Sequence, residues 1–207
     1  MKRPLLNRLG LLGVISLLSY TAAVIFSPLK YAGYNWIAQA VSDLSAVNAP
    51  SRELWNQLAA LYVPCGIVSV MAVCVYVGGK LNKALRSGIY LFAAMQWISA
   101  VGYAMFPLTA AGSPSGFQNV MHIVVTAAVV LLSIASLIMI ALGGFKDRRW
   151  RSLSWWALTA LVMMMIGGIG TGLVPGEYFG IPERFSVFAA VGFNALLGVY
   201  LFNGFNQ

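Results

Sequence analysis

No charged side chain occurs between residues 9 and 29, 54 and 79, 87 and 145, 152 and 176, or 185 and 207. That spacing constrains the chain more than any motif does. A helix needs about 20 apolar residues to cross about 30 Å of hydrocarbon, and helices spare their backbone groups the cost of facing lipid unpaired. Four of the intervals hold one span each. The interval 87–145 has room for two, separated where Pro107, Gly112, Pro114 and Gly116 interrupt it. The reading is a single all-α, polytopic domain over 1–207 with six transmembrane helices at about 9–27, 53–78, 87–106, 116–144, 153–174 and 182–203. With 60% hydrophobic and 9% charged residues, against about 25% charged in a soluble domain, the chain has too little polar surface to fold in water.

The formal charge of +8 would suit nucleic acid if it were clustered on one face, but it is dispersed by topology. Lys2, Arg3 and Arg8, then Lys80, Lys83 and Arg86, then Lys146, Arg148, Arg149 and Arg151 alternate with intervals that hold only Lys30, Arg52 and Arg184. The positive-inside rule then places both termini in the cytoplasm and the protein in the cell's inner membrane, with membrane lipids as partners and no nucleic acid. The uncharged run 9–29 exceeds the roughly 7 to 15 residues of a signal core and reads as a retained anchor. Cys65 and Cys74 lie inside one span and say nothing about redox compartment.

Between the first two spans lies the one long polar interval, 34–57. On a helical wheel Trp36, Ile37, Ala40, Val41 and Leu44 fall opposite Asn35, Gln39, Ser42 and Asp43, which predicts an amphipathic helix over 34–45 on the outer surface. It should fold over the outer ends of the third, fourth and sixth spans. Ser51 is placed to cap the second span, and Ser115, three residues before Gln118, to cap the fourth. Pro182 suits the first turn of the sixth. The run Gly167 to Gly172 imitates a dinucleotide fingerprint but has no preceding strand, so close helix packing through Gly168 and Gly172 is the expectation.

Candidate chemistry gathers at the outer end. Gln118, Asn119, His122, Thr126, Ser133 and Ser136 share one arc of the fourth span. A polar stripe cannot face lipid cheaply. Gln96, Ser99 and Tyr103 on the third span and Glu183, Ser186 and Asn194 on the sixth offer matching faces, so these three spans are expected to enclose a polar pocket. Its ligand-binding candidates are Ser42, Asp43, Gln96, Tyr103, Gln118, Asn119, His122, Glu183 and Arg184. The occupant would be a lipid or small amphiphile. A different reading is an intramembrane hydrolase, metal-dependent or not, using His122 with Asp43 and Glu183. A third is a proton-coupled transporter using the stripe. One imidazole is few ligands for zinc, and no cofactor motif is present, so neither metal nor cofactor is expected.

The stretch SPLKYAGYNWIAQAVSDLSAVNAPSRELWN resembles a bacterial and archaeal family of six-helix membrane proteins known only as a domain of unknown function. The likeness rests on Val41, Ser42, Asp43 and Leu44, on Pro50, Trp55 and Asn56, on His122, and on Glu183 with Arg184. Ser45 stands where relatives often have glycine. The segment is also similar to one in eukaryotic six-helix proteins linked to autophagy and plasma-membrane lipid asymmetry. Both resemblances imply the fold and neither implies a reaction.

Overall fold

The computed structural model describes residues 3–110 and 115–205. Its helices are α1 (Leu5–Leu9), α2 (Leu11–Phe26), α3 (Arg52–Leu58), α4 (Tyr62–Val77), α5 (Lys83–Met105), α6 (Phe117–Phe145), α7 (Arg151–Leu173) and α8 (Gly180–Phe202). They make six membrane-length spans: Leu5–Lys30, Arg52–Val77, Lys83–Met105, Phe117–Phe145, Arg148–Leu173 and Gly180–Phe202. The protein is therefore an all-helical, multi-pass membrane protein, as the charge-free intervals predict. Each span packs on its neighbours in sequence, and α8 closes the circuit by packing on α2 as well as on α7 and α4. Phe92 of α5 and Phe193 of α8 meet edge to face across the centre, 5.3 Å between centroids. Leu137, Ile140, Leu153, Leu197 and Leu201 belong to the same buried cluster, with no exposure.

Where α8 meets the first span, small residues bring backbones together. A β-carbon at Gly10 would collide with the carbonyl of Gly198, and one at Gly198 with the carbonyl of Gly10. Polar side chains use the proximity: Asn7 donates to Leu201 O at 2.7 Å, Ser69 to Gly10 O at 3.3 Å and Asn194 to Gly66 O at 3.2 Å. The expected close packing of α7 holds at Gly168, where a β-carbon would meet Val130 of α6 at 3.0 Å, and fails at Gly172. Gly172 has nothing near it, whereas Gly167 abuts Ser186 and Gly170 abuts Pro182.

The second span is not the continuous helix expected over 53–78. It breaks at residues 59–61 because Pro64 has no amide to offer the carbonyl of Ala60 and its ring crowds that turn. The amide of Tyr62 turns to Ala59 O at 2.9 Å, which strips Leu58 O of its helical donor. Ser19 supplies the replacement at 2.5 Å, and Ser16 adds a bond to Tyr62 O at 2.7 Å. One neighbouring helix thus re-satisfies the freed backbone, the condition for tolerating a broken span in lipid.

Residues 34–45 do not form the predicted amphipathic α-helix. They form a strap of turns that ends in a single 3-10 turn, Ser42–Ser45. Local polar side chains compete for the backbone: Asn35 Oδ1 accepts from Ile37 N at 3.0 Å, Gln39 Oε1 from Asn35 N at 2.8 Å and Asp43 Oδ2 from Ala40 N at 3.1 Å. Val41 and Leu44 are buried as the wheel required, but Trp36 is 57% exposed. The caps also differ. Ser51 gives its hydroxyl to Leu44 O at 2.8 Å instead of capping α3, and α6 is capped by Gly116 at φ 91°, not by Ser115.

Candidate functional site

The strap is held by α8. Arg184, on the first turns of α8, points Nη1 at three carbonyls: Trp36 at 2.8 Å, Gln39 at 3.0 Å and Gly180 at 2.7 Å. Its Nη2 donates to the Tyr34 hydroxyl at 2.6 Å, and that hydroxyl donates onward to Ala40 O at 2.9 Å. Among the described residues no carboxylate lies within ion-pair distance of Arg184, so carbonyl dipoles and a phenol solvate its charge. Glu183 takes the adjacent backbone, accepting from Val41 N at 3.2 Å. The Gly180 amide donates to Ile37 O at 2.8 Å, and a β-carbon there would overlap the carbonyls of Trp36 and Gln39. Burial pushes the Tyr34 phenol up to about 12, with Arg184 opposing and Glu183 and Asp43 adding to the rise.

The polar residues of α5 and α6 lie in a second group that staples their shared turn. Asn119, 2% exposed, accepts from Thr109 N at 2.9 Å and Thr109 Oγ1 at 2.8 Å, and donates to Ser115 O at 2.9 Å. Gln118 donates to Met105 O at 3.0 Å. His122 Nδ1 lies 2.8 Å from Phe106 O; a carbonyl can only accept, so Nδ1 carries the proton. The imidazole also packs on Tyr103, 4.9 Å between centroids, and Tyr103 donates to Thr126 at 3.1 Å.

The candidates predicted from sequence therefore divide. Asp43, Glu183 and Arg184 meet at the strap, with Ser42 contributing only its carbonyl, to Ser45 at 3.0 Å. Gln118, Asn119, His122 and Tyr103 belong to the α5–α6 turn. Gln96 lies buried on α5. The predicted enclosure by α5, α6 and α8 is loose: α8 packs closely on α2, α4 and α7 and meets α5 through Phe193 and Phe92. Of the α6 arc, Asn119, Ser133 and Ser136 are buried and Thr126 is exposed; the order of helices around the bundle decides which arcs face one another. Among the described residues no three His, Cys, Asp or Glu side chains gather as a metal site requires.

What opens beside Arg184 is a pocket of about 330 Å³ lined by Val24, Ile25, Pro28, Tyr34, Trp36 and Arg184. Most of these walls were absent from the sequence reading. Trp36 enters the sequence analysis as a wheel position only, and the end of the first span carries no polar signal. The clue available was an arginine at the start of an apolar helix with no carboxylate at helical spacing to balance it, since Asp and Glu occur at neither position 180, 181, 187 nor 188. Such a guanidinium must find oxygen elsewhere. The pocket joins one cation and two interfacial aromatics to bare aliphatic surface, a combination suited to an amphiphile with an anionic head.

The model of one family, described as a protein of unknown function (DUF998), matches residues 14–200. No curated protein and no solved structure matches the chain.

Proposed function

The chain belongs to the DUF998 family, and we propose that this member binds a lipid or small amphiphile in the strap-end pocket, in the outer leaflet of the cell's inner membrane. The observation that carries the reading is the composition of the pocket wall. Arg184 uses Nη1 and one N–H of Nη2 on the strap, while Nε–H and the second N–H of Nη2 have no acceptor among the described residues. A phosphate or carboxylate head accepts from those two donors, and its chain lies along Val24 and Ile25, of which Ile25 is 59% exposed. Trp36 and Tyr34, beside the end of the first span, are the amphipathic rings favoured at a bilayer's edge, which supports this reading. The basic clusters at the opposite end support cytoplasmic termini and an outward-facing pocket.

The test is lipid retention by the purified full chain, read by native mass spectrometry. Wild type carries an anionic amphiphile that Ile25→Trp, which fills the pocket without touching the arginine clamp, releases. Equal retention by I25W would refute the pocket.

A further inference from the structure

The opposite, basic end of the bundle holds a second groove, of about 540 Å³, between the start of α5 and the end of α6. Its walls are Asn82, Lys83, Ala84, Ser87, Met139, Lys146 and Asp147. We propose that this groove seats the head group of an anionic phospholipid from the leaflet at that end, independently of what the strap-end pocket binds.

The electrostatics of the groove favour an anion. Lys83 and Lys146 are exposed, and no hydrogen bond or ion pair engages either ammonium group among the described residues. The one carboxylate in the lining is already committed: Asp147 accepts from the Arg149 backbone amide at 3.1 Å, from its Nε at 3.4 Å and from its Nη2 at 3.1 Å. Those contacts hold its carboxyl below the usual carboxylate range. Two uncompensated positive charges therefore face one cavity, and Asp147 does not cancel them. Asn82 is not a free polar wall either, since it caps α5 by accepting from Leu85 N at 3.0 Å and donates to Gly143 O at 2.8 Å. Those two bonds fix the edges of the groove by tying the two helices together beside it.

The shape separates a lipid from a free anion. Met139 and Lys146 are seven positions apart on one end of α6 and its cap, which sets the sulfur about 10 Å deeper along the axis than the ammonium-bearing residue. The wall thus passes from Lys83, Ala84 and Lys146 past Ser87, about 6 Å along α5, to Met139, over the distance from a phosphate to the first acyl carbons. Beside it, Ile138 and Leu142 of α6 are 40% and 61% exposed, so a chain leaving the groove runs along apolar helix. Basic pockets between spans that bind lipid head groups have this graded wall.

The experiment uses the full chain in nanodiscs made from equal amounts of phosphatidylglycerol and phosphatidylcholine, with bound lipid counted by native mass spectrometry. Two lysines near a membrane surface predict a preference for the anionic lipid of about thirtyfold. K83Q/K146Q removes most of it. Ser87→Phe blocks the groove at unchanged charge and also removes it, whereas Arg148→Gln, which lowers the charge of the same end outside the groove, leaves it intact. A preference that survives both K83Q/K146Q and S87F overturns the site. So does an equal loss in R148Q, which would make the effect a general attraction of the basic end. Displacement of the lipid by millimolar inorganic phosphate would assign the site to a free anion instead. Circular dichroism and thermal unfolding of each variant confirm that it is folded before its lipid count is read.

Discussion

Replacing Arg184 with alanine should free the strap without unfolding the bundle. Nη1 lies within 2.7 to 3.0 Å of three carbonyls, yet it carries two protons, so together with the Nη2 bond to Tyr34 about three charge-assisted bonds operate at once. At roughly 1.5 to 3 kcal/mol each, their simple sum would be about 5 to 9 kcal/mol. Two effects reduce it. The bond to Gly180 O is internal to α8 and holds nothing across the interface, and the pocket is open, so water replaces part of the lost donor. The expected cost to strap closure is about 2 to 4 kcal/mol. Residues 38–41 carry amides whose bonds depend on that closure, to Asn35 O, Asp43 Oδ2 and Glu183 Oε2. Their hydrogen exchange in R184A should accelerate by about 30- to 1,000-fold. Exchange at residues 47 and 48 should change little, because these pair with Leu108 O and Thr109 O beyond the arginine's reach. Arg184→Lys should fall between, since an ammonium keeps the charge and loses the fork. Protection at 38–41 within threefold of wild type in R184A would refute the clamp.

Gly180→Ala forces a β-carbon against two backbone carbonyls that cannot swing away, and should lower stability in thermal unfolding by about 3 kcal/mol. The Tyr34 phenol is neutral in the folded protein up to about pH 12 and in the unfolded chain only to about pH 10, so its contribution is whole below pH 10 and is lost between pH 10 and 12. Allowing for solvent screening of a half-exposed hydroxyl, wild type should lose about 1 to 2 kcal/mol more than Tyr34→Phe across that window in alkaline unfolding. Single cysteines at Asn48 and at Arg148, in a background without Cys65 and Cys74, should react with impermeant thiol reagents from opposite sides, Asn48 from outside; reversed labelling would overturn the orientation. Ser19→Ala orphans Leu58 O and should cost about 0.6 to 1.7 kcal/mol, a loss that Pro64→Ala should reduce by letting the second span close its own ladder.

The spans were legible in the sequence because absence of charge is a one-dimensional signal: it needs no partner to be read. Each boundary in the structure lies within a few residues of the charge-free intervals. The strap was misread because an alternating wheel describes burial, and burial was right at Val41 and Leu44 while the backbone went its own way. Asn35, Gln39 and Asp43 each bond an amide within four residues of themselves, and side chains that bond locally undo the helix whose polar face they were taken to line. The break in the second span was signalled by Pro64 and passed over in a run of apolar residues. The close packing of α8 on the first span has no sequence signature beyond Gly10 and Gly198, whose roles emerge only once both helices are placed.

Donor accounting then separates structure from availability at the strap end. Asn119 donates from Nδ2 to Ser115 O and accepts twice at Oδ1 within the α5–α6 turn, and Gln118 is spent on Met105 O. His122 has given Nδ1–H to Phe106 O, which leaves Nε2 as an acceptor with no partner among the described residues. An acceptor cannot hold an anionic head, and one imidazole nitrogen beside a neutral phenol is not a nucleophile's base without a hydroxyl aimed at it. Arg184 is the opposite case. Its strap contacts consume donors on one edge of the guanidinium and leave the other edge, Nε–H with one N–H of Nη2, in the parallel arrangement that fits two oxygens of a single phosphate or carboxylate. The same side chain can therefore hold the strap and present a binding edge, and occupation of that edge should stiffen the strap through the shared cation, slowing exchange at residues 38–41 as lipid is added to delipidated protein.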